Sequence, residues 1–398
     1  MIRIKTMTLY DAIVIGGGAS GLMCAAVAAQ GGKRVLLLEH NAQLGRKILA
    51  SGGGNCNFTN LSISPEDYRS RNPHFCKSAL SRYPAQAFIE LIESHGVRFY
   101  EKKLGQLFCE EGAERVLGVL VKECDKVGVE IRVQFEAQKV IRKENRFLVI
   151  SGEWSFEANN LVLATGGLSF KGLGASDIGY RVAAQFGLNR IKTAPALVPL
   201  LYGGYHKLAG LSLPLVVEIK DRVIADDFLF THLGFSGPAI LKASLYWTEG
   251  QKVTLNFLPD QNLAELIGQA RQKGGTKSLS RLLSFHLPSR FVKFWLEKEV
   301  AIAEKDLPNL TQKELDLVVN QFQAWSFIPQ GTEGYKKAEV TQGGVDSRDI
   351  SSKTMEAKAV KGLYFIGELL DVTGLLGSYN LHWAWASGHA AGQALAEA

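Results

Sequence analysis

Residues 10–39 of the 398-residue chain, YDAIVIGGGASGLMCAAVAAQGGKRVLLLE, decide the fold class. Residues 10–15 are a short apolar run, which is typical of a buried parallel strand. Residues 22–30 are rich in alanine and favour a helix, and residues 35–38 form a second apolar run. A strand, a glycine-rich turn, a helix and a second strand in this order predict an α/β protein that begins with a Rossmann-like unit.

The glycines of the turn match a dinucleotide-binding fingerprint. Gly16 makes the tight turn, Gly18 lets the backbone approach a pyrophosphate, and Gly21 lets the helix pack closely on the strand. The helix then directs its unpaired N–H groups and the positive end of its dipole at the phosphates. Glu39 follows the second strand, where a carboxylate can accept hydrogen bonds from a ribose diol. The predicted cofactor contacts of this unit are Gly16, Gly18, Ala19, Ser20, Gly21 and Glu39.

A second glycine-rich segment favours FAD over NAD, which the fingerprint alone does not separate. In a plain NAD domain the region after Glu39 would form another crossover helix, whereas here residues 45–47 (GRK) and 51–57 (SGGGNCN) follow. A cation and a run of glycines suit a loop under a pyrophosphate and beside a flat ring, and a glycine-rich surface loop is the alternative. The predicted contacts are Gly45, Arg46, Lys47, Ser51, Gly52, Gly53 and Asn57.

The apolar strand predicted at residues 160–165 (NLVLAT) returns to the same site. It ends in two glycines, for which a simple strand-end turn is the alternative. The preceding residues 129–150 alternate like β-structure, and Val140 is placed to present its backbone to an adenine edge. The predicted contacts here are Val140, Ala164, Thr165, Gly166 and Gly167.

The carboxyl-terminal segment supplies the other half of the predicted site. Residues 362–366 (GLYFI) form an apolar strand, a Gly-Glu pair and a second glycine cluster follow, and residues 381–398 are helix-like. This order suits a ribityl chain and the pyrimidine edge of a flavin, where a helix dipole stabilises negative charge. The predicted contacts are Gly367, Glu368, Asn380 and Leu381. A second strand–GxGxxG–helix unit is missing, so we expect no separate NAD domain.

Composition and charge narrow the functional class. The formal net charge of +6 fits a polyanionic ligand such as a dinucleotide and permits nucleic acid. The five scattered cysteines include no CxxC and no zinc spacing, so we expect a cytoplasmic protein without a disulfide framework or a metal site. The uncharged stretch at residues 12–32 contains three adjacent glycines, Ser20 and Gln30, so we expect no membrane span.

The middle of the chain predicts an insertion in the flavin domain. Residues 193–259 contain β-like runs such as LPLVVEIK, and residues 263–322 show helical spacing in LSRLLSFHL and ELDLVVNQF. The predicted architecture is a glutathione-reductase-like FAD-binding domain at 1–192 and 341–398, a β-rich domain at 193–259 and 324–340, and a helical module at 260–323.

The predicted helical module is basic and contains aromatic residues. Its charged residues between 263 and 305 are Arg271, Lys273, Lys277, Arg281, Arg290, Lys293, Lys298 and Lys305, opposed by Glu265, Glu297, Glu299 and Glu304. Phe291, Phe294 and Trp295 lie among them. Two interpretations are open: a nucleic-acid face with cations on phosphates and rings stacked on bases, or a solvated helix face over a buried aromatic stripe.

Three residues are candidate proton donors. A flavin supplies the hydride, and the protein must supply a proton on the far side of the reduced bond. His232 lies in a glycine-rich loop of the insertion, Tyr379 follows the terminal glycine cluster, and Cys56 lies between two asparagines of the flavin loop. The alternatives are a turn-stabilising histidine and packing roles for the tyrosine and the cysteine.

With these motifs in place, the chain resembles the BaiN/RdsA family of FAD-dependent proteins, which includes the YhiN flavoproteins. The matching segments are GGGASGLMCA (16–25), GRKILASGGGNCNFTN (45–60), LATGG (163–167), THLGFSGPAIL (231–241), VTQGGV (340–345) and GLYFIGELLDVTGLLGSYNLHWAWASGHAAG (362–392). The chain departs from the family at Asn55, where many members have Arg, and at Ser378, where many have Gly. The resemblance implies a flavin domain split by a large insertion, non-covalent FAD and a reductive chemistry, and NAD(P)H is the expected reductant.

Three functions are compatible with these observations. The first is an oxidoreductase that reduces a C=C bond, in its specific form uridine to dihydrouridine in 23S rRNA, with the basic insert as an RNA contact. Members of the resembled family are assigned as an rRNA dihydrouridine synthase and as a reductase of unsaturated bile-acid intermediates. The second is a flavin oxidase or reductase of a small metabolite, such as an amine or an enone. The third is a non-catalytic FAD-binding protein.

Overall fold

The computed structural model describes residues 9–273, 278–302 and 305–398. The chain divides into two compact units, unit 1 (Met1–Pro195 and Glu339–Ala398) and unit 2 (Ala196–Ala338). Each unit has a hydrophobic core of its own.

Both units combine strands and helices. In chain order, the strands of the described residues are β1 (Leu9–Ile15), β2 (Val35–Leu38), β3 (Asn57–Asn60), β4 (Tyr68–Arg69), β5 (Phe99–Glu101), β6 (Gln106–Cys109), β7 (Glu130–Arg132), β8 (Lys139–Lys143), β9 (Arg146–Ser151), β10 (Trp154–Leu163), β11 (Arg190–Ala196), β12 (Leu200–Leu201), β13 (Ser212–Ile219), β14 (Arg222–Phe230), β15 (Gly234–Ser236), β16 (Val253–Asn256), β17 (Trp325–Phe327), β18 (Gly331–Thr332), β19 (Val340–Val345), β20 (Leu363–Phe365) and β21 (Thr373–Gly374). The α-helices are α1 (Ala19–Gln30), α2 (Arg46–Ala50), α3 (Lys77–Arg82), α4 (Ala85–Ser94), α5 (Ala113–Lys126), α6 (Ile178–Gln185), α7 (Pro238–Ser244), α8 (Leu263–Lys273), α9 (Leu279–Leu283), α10 (Ser289–Trp295), α11 (Gln312–Gln323) and α12 (Tyr379–Glu397).

A parallel sheet in the order β7-β2-β1-β10-β20 forms the centre of unit 1. All four residues of β2 are buried, and α1 packs against both α5 and α12. Burial explains why these strands read as nearly continuous apolar runs. Gly16, Glu39 and Ala164 directly follow β1, β2 and β10, and Gly367 comes two residues after β20. Because the carboxyl ends of parallel strands meet at one edge of a sheet, the fold brings these residues together.

Two smaller β-structures complete the part of unit 1 that positions the site. The first half of β10 pairs antiparallel with β9, and β9 pairs with β8. A separate three-stranded sheet has the order β3-β6-β5, with Asn57 opposite Phe108 and Tyr100 also opposite Phe108. This small sheet begins where the predicted flavin loop ends.

Unit 2 is built on a seven-stranded sheet in the order β17-β16-β13-β14-β15-β12-β18. Its long hairpin, β13–β14, pairs antiparallel from Ser212 opposite Leu229 to Ile219 opposite Arg222. Helix α7 packs on this hairpin, and helices α8–α11 lie in the sequence between β16 and β17. The core combines sheet residues such as Phe228 with helix residues such as Trp295.

Candidate functional site

Close backbone contacts shape the glycine turn after β1. Gly16 has a φ of +111°, and a Cβ there would lie 2.4 Å from the carbonyl oxygen of Ala164. A Cβ on Gly21 would lie 1.9 Å from the carbonyl oxygen of Gly16, so α1 packs on the turn only with glycine. A Cβ on Gly18, in contrast, would meet nothing within 4 Å. The N-terminus of α1 has no side-chain cap and no acidic residue in its first turn, which leaves backbone N–H groups for an anion.

Glu39 is a buried carboxylate at the end of β2, with 6% of its surface exposed. Its Oε2 accepts a hydrogen bond from Gly17 N at 2.8 Å, and its Oε1 accepts two from the backbone N and the Nδ2 of Asn41, both at 2.8 Å. Burial raises the pKa of Glu39, but hydrogen bonds from His40, Asn41 and Gly17 outweigh it and lower that pKa overall. Glu39 is therefore charged at neutral pH and is a strong acceptor for hydroxyl groups.

The basic loop after β2 is held against the glycine turn. Gly45 N donates to the carbonyl oxygen of Gly17 at 2.9 Å, and Gly45 has a φ of +62°. Arg46 donates from Nη1 to Asn41 Oδ1 at 3.0 Å and from Nη2 to the carbonyl oxygen of Gly172 at 2.9 Å. Asn41 thus connects Glu39 to the cation of the loop, a role that no sequence motif indicated.

An ion pair joins the basic loop after β2 to the carboxyl-terminal segment of the predicted site. Lys47 Nζ lies 2.5 Å from Glu368 Oε2, and Glu368 Oε1 accepts a hydrogen bond from Thr341 N at 2.8 Å. A Cβ on Gly167 would lie 2.5 Å from both Glu368 Oε1 and Thr341 Oγ1. Three predicted segments therefore meet here. Thr341 belongs to the VTQGGV motif, but sequence reasoning did not place it in the site.

The end of β10 presents a buried hydroxyl and an open glycine. Thr165 Oγ1 is buried and has no hydrogen-bond partner. It lies against α6, where a Cβ on Gly179 would be 2.3 Å from it. Gly166 has a φ of +70°, and a Cβ there would meet nothing within 4 Å. Val140, the predicted adenine contact, lies in β8, and its carbonyl oxygen accepts a hydrogen bond from Gln185 Nε2 at 2.9 Å.

Gly367 brings the terminal segment against the first helix. A Cβ on Gly367 would lie 2.6 Å from Ser20 Oγ, and its φ is +68°. Its N–H donates to Ser387 Oγ at 3.0 Å, and its carbonyl oxygen accepts from Trp383 Nε1 at 3.0 Å. Ser387 and Trp383 lie on α12, so this helix fixes the Gly367–Glu368 pair through hydrogen bonds that the sequence pattern did not reveal.

The N-terminus of α12 is tied to the glycine loop. Ser378 has a φ of +79°, a region that favours glycine over residues with a Cβ. Its hydroxyl donates to the carbonyl oxygen of Asn57. The side chain of Asn380 is paired with the backbone N–H and carbonyl of Gly374, so a cofactor contact at Asn380 would use its backbone. Leu381 packs against the core of unit 1.

The glycine loop itself combines open and crowded positions. Gly52 and Gly53 have φ values of +59° and +68°. A Cβ on Gly53 would meet nothing within 4 Å, whereas one on Gly52 would lie 3.0 Å from the Phe108 ring. Ser51 accepts a hydrogen bond on its carbonyl oxygen from Cys56 N at 3.1 Å. Position 52 therefore requires glycine, because its φ is positive and because a Cβ there would be crowded.

The three candidate proton donors have different environments. Cys56 is fully buried, and burial raises the pKa of its thiol to about 12. Tyr379 is partly buried at the first position of α12, and burial raises the pKa of its phenol as well. His232 lies in unit 2, exposed on the turn between β14 and β15. The structure thus places only Cys56 and Tyr379 in the unit that carries the dinucleotide fingerprint.

The aromatic residues of the basic helices in unit 2 are core residues. Phe291 and Trp295 have no exposed surface, and Phe294 is partly buried against the same core. Helix α10 turns its apolar face inward, as an amphipathic helix does. The interpretation in which Phe291 and Trp295 stack on nucleic-acid bases is therefore wrong, and the buried aromatic stripe is confirmed.

Several cations of these helices are used within unit 2. Arg271 donates to the carbonyl oxygens of Leu307 and Leu310 at 2.8 and 2.7 Å. Lys305 Nζ lies 2.5 Å from Glu314 Oε1, and Lys298 Nζ lies 4.9 Å from the centre of the Tyr205 ring. The exposed side chains of Arg281 and Lys293 carry no ion pair among the described residues. Lys277, Glu304 and the side chain of Lys273 lie outside the described residues.

Among the described residues, the cysteines and other metal-ligating side chains do not form a cluster. All five cysteines are free and buried. Within residues 9–273, 278–302 and 305–398, no group of three or more His, Cys, Asp or Glu side chains is arranged to hold a metal ion. No helix in the described part of the chain is both long and apolar enough to cross a membrane.

Four features of unit 1 fit a bound dinucleotide. They are the open space at Gly18, the uncapped N-terminus of α1, the charged carboxylate of Glu39 and the buried, unpartnered hydroxyl of Thr165. The ion pair of Lys47 with Glu368 and the adjacent Gly367 extend the same region toward α12. A ligand with a pyrophosphate and a group at each end suits this arrangement.

Known proteins resemble the chain over its whole length. A family model described as "HI0933-like protein Rossmann domain" matches residues 10–394, which confirms the predicted Rossmann-like fold. The chain is 46% identical over 395 residues to the ribosomal RNA dihydrouridine synthase of Escherichia coli (strain K12), covering 98% of each chain. It is 30% identical over 405 residues to the 3-dehydro-bile acid delta(4,6)-reductase of Clostridium scindens (strain ATCC 35704), covering 96% of this chain and 98% of that relative.

A solved structure of an enzyme with the same fold also matches. The open conformation of a flavocytochrome c3 fumarate reductase aligns with 98% of this chain and 78% of that chain, with a TM-score of 0.50. The sequence identity of this pair is 15%, so the match describes the fold alone.

Proposed function

The chain belongs to the HI0933-like family of Rossmann-domain proteins, and on that premise we propose that it is an FAD-dependent oxidoreductase that converts uridine in ribosomal RNA to dihydrouridine. The observation that carries this proposal is the 46% identity with the E. coli ribosomal RNA dihydrouridine synthase over 98% of both chains. At that coverage both units of this chain take part in the likeness.

FAD is the proposed cofactor because its parts suit the residues that unit 1 brings together. The pyrophosphate would be held by the α1 N-terminus and Gly18, and the adenosine ribose by Glu39. Lys47, Glu368 and the start of α12 would hold the flavin end. The chemistry that FAD supplies when bound is hydride transfer to the substrate.

The proposed net reaction adds hydrogen across the C5=C6 bond of a uracil ring. NAD(P)H is the proposed reductant: it loses a hydride and becomes NAD(P)⁺, while the substrate gains a hydride and a proton from the protein, which regains its proton from water. The protein therefore has to position the pyrimidine and to deliver the proton. The proposed location is the cytoplasm, where a nicotinamide reductant and ribosomal RNA are both present.

Tyr379 is the proposed proton donor. Its phenol carries a proton at neutral pH, as tyrosine ordinarily does, and burial raises the pKa of this phenol further. Its neighbour Ser378 is hydrogen-bonded to Asn57 of the glycine loop, which holds Tyr379 beside the proposed flavin end. Cys56 has no exposed surface through which a substrate could reach its thiol.

A reductase of small unsaturated ketones is the second candidate function. The observation in its favour is the 30% identity with the 3-dehydro-bile acid delta(4,6)-reductase over 96% of this chain. Both candidates reduce a C=C bond, so the proposed cofactor site serves either one. They differ in whether the substrate is a polynucleotide or a small molecule.

Nucleoside mass spectrometry on 23S rRNA distinguishes the two candidates. We expect a deletion strain to lose a dihydrouridine, and the purified protein with FAD and NADPH or NADH to restore it in rRNA from that strain. The control is a Gly18→Ala protein, which we expect to carry less FAD and to restore less dihydrouridine at the same FAD concentration. Unchanged dihydrouridine in the deletion strain, together with turnover of a small enone, would reject the rRNA function in favour of the second.

A further inference from the structure

The hairpin formed by β5 and β6 carries an exposed ring and a cation side by side. Tyr100 is 40% exposed, and its ring stacks on the Phe108 ring with 5.9 Å between centroids and 25° between planes. Lys102 Nζ lies 5.0 Å from the centre of the same Phe108 ring. Tyr100 and Phe108 are cross-strand partners, so the two rings and the ammonium group share one face of the small sheet.

This face continues into the glycine loop. Asn57 is the partner of Phe108 on the other side, across β3 and β6. A Cβ on Gly52 would lie 3.0 Å from the Phe108 ring. Phe108 itself is buried, so it fills the space between the exposed Tyr100 and the loop that we assign to the flavin.

The tip of the hairpin is fixed to the terminal segment of the site. Asn60 Nδ2 donates to the carbonyl oxygens of Leu104, at the tip, and Gly377, just before α12, both at 3.1 Å. A Cβ on Gly377 would also lie 3.3 Å from Gln106 Nε2. The outer face of the hairpin therefore has a defined position relative to both halves of the proposed flavin site.

The acidic side chains on and next to the hairpin have partners other than Lys102. The carboxylate of Glu101 accepts a hydrogen bond from Gly105 N at 2.9 Å, and side chains alternate between faces along a strand. Glu110 and Glu111 lie 3.6 and 3.5 Å from Arg98 Nε. The face that presents Tyr100 is thus aromatic and cationic.

We propose that Tyr100 and Lys102 form a docking surface for the single-stranded RNA next to the target uridine, an inference that rests on the proposed function. Single-stranded RNA is bound by stacking of bases on aromatic side chains and by cations on its phosphates. Tyr100 offers the exposed ring, and Lys102 offers the charge. A small metabolite bound in the flavin site would not extend to this outer surface. A polynucleotide continues beyond the target base, so its neighbouring nucleotides need a surface on which to bind.

Binding of a fluorescein-labelled oligouridine of about ten nucleotides, followed by anisotropy, tests the surface. Stacking of a base on one ring gives an expected rise in Kd of about tenfold for Tyr100→Ala, and Tyr100→Phe should stay within about twofold of wild type. Lys102→Ala should lower the slope of log K against log salt by about 0.7, because one phosphate contact is lost. FAD content, read from the flavin absorbance, should be unchanged in all three variants.

Trp154→Ala is the matched control, because Trp154 is 38% exposed and Arg132 lies 5.5 Å from its ring on another part of unit 1. Equal Kd values for Tyr100→Ala and Trp154→Ala would overturn the docking surface. If the two Kd values are equal and the wild-type protein still forms dihydrouridine, the docking surface is rejected and the proposed function is retained. A wild-type protein that neither binds the oligouridine nor forms dihydrouridine rejects the proposed function itself.

Discussion

The β1–α1–β2 segment of unit 1 and the helices of unit 2 both have sequence patterns that indicate a ligand. In the structure, the first pattern lies in a tight backbone turn, whereas the aromatic residues of the second lie in a hydrophobic core. The glycines of the first pattern lie where contacts of 2.4 Å and less would exclude a Cβ at Gly16 and Gly21. The aromatic residues of the second pattern, Phe291 and Trp295, are buried in the core. A glycine pattern is specific, because few backbone conformations require glycine at these spacings. Cations and aromatic rings at helical spacing are less specific, because an ordinary amphipathic helix has them too. Four sets of substitutions test this contrast.

Trp295→Ala is expected to have the largest effect. The indole is fully buried, and its Nε1 donates to the carbonyl oxygen of Gln321 at 2.9 Å. Removal of such a side chain costs about 3–5 kcal/mol of unfolding free energy. Urea denaturation measures it, with Phe285→Ala as the control because Phe285 is 67% exposed. If Trp295→Ala is as stable as the control but binds RNA less tightly, the core assignment of this ring is wrong.

Acid is expected to destabilise unit 1 through His382. Its ring is buried between Thr59 Oγ1 at 2.9 Å and the carbonyl oxygen of Tyr83 at 3.0 Å, and burial lowers the pKa of His382 from 6.5 to about 4. The unfolded chain therefore binds a proton between pH 6.5 and pH 4 that the folded chain does not, so stability falls as the pH falls through this window. The loss reaches about 3 kcal/mol near pH 4.

A glutamine at position 382 isolates the contribution of His382 to the pH dependence of the unfolding free energy. His382→Gln does not titrate, so its unfolding free energy should depend less steeply on pH between 6.5 and 4 than that of the wild type. His286→Gln, at an exposed position of unit 2, is the control and should keep the wild-type slope. Identical slopes for wild type and His382→Gln would contradict the burial of a neutral imidazole.

Gly21→Ala and Gly18→Ala should separate packing from ligand binding within the glycine turn. At Gly21 the new methyl group would meet the Gly16 carbonyl at 1.9 Å, and the strain should cost about 1–3 kcal/mol of stability. At Gly18 the methyl group meets no atom of the protein, so stability should change by less than about 0.5 kcal/mol. The same methyl group would occupy the space for the pyrophosphate, so FAD affinity should fall at least about tenfold. Fluorescence titration of apoprotein with FAD measures this; unchanged affinity for Gly18→Ala would remove Gly18 from the site.

The sequence predicted those parts of the site that depend on short-range geometry. The Rossmann-like fold and the family are confirmed by the comparisons, and the fingerprint, the basic loop and the terminal Gly-Glu pair meet in the structure. Thr341 was missed because its contacts with Glu368 and Gly167 depend on the folded chain and not on spacing. The burial of Cys56 and Trp295 was likewise hidden, since the same residue types occur in sites and in cores.

The sequence did not indicate a role for Tyr100, because the local pattern around it is ordinary. The segment FYEKKLGQLFC has a charged run, EKK, followed by a glycine between two apolar stretches, which is also typical of an ordinary surface hairpin. Its significance comes from the register that places Tyr100 and Asn57 on either side of Phe108. The pairing of Asn57 with Phe108 joins two strands that are far apart in the sequence, and no local pattern specifies it.

Arg281→Ala and Lys293→Ala should have the smallest effect. Both side chains are exposed on the helices of unit 2, where Phe291 and Trp295 are buried. These two cations do not belong to the docking surface of Tyr100 and Lys102, so they attract RNA only through screened, non-specific electrostatics, and each substitution should change the Kd for an oligouridine by less than about twofold. The salt slope should also stay within about 0.3 of the wild-type value, against the fall of about 0.7 expected for Lys102→Ala. If instead Lys293→Ala lowers the slope as much as Lys102→Ala does, phosphates contact the helices of unit 2. The cations there would then bind RNA although the buried rings of Phe291 and Trp295 do not.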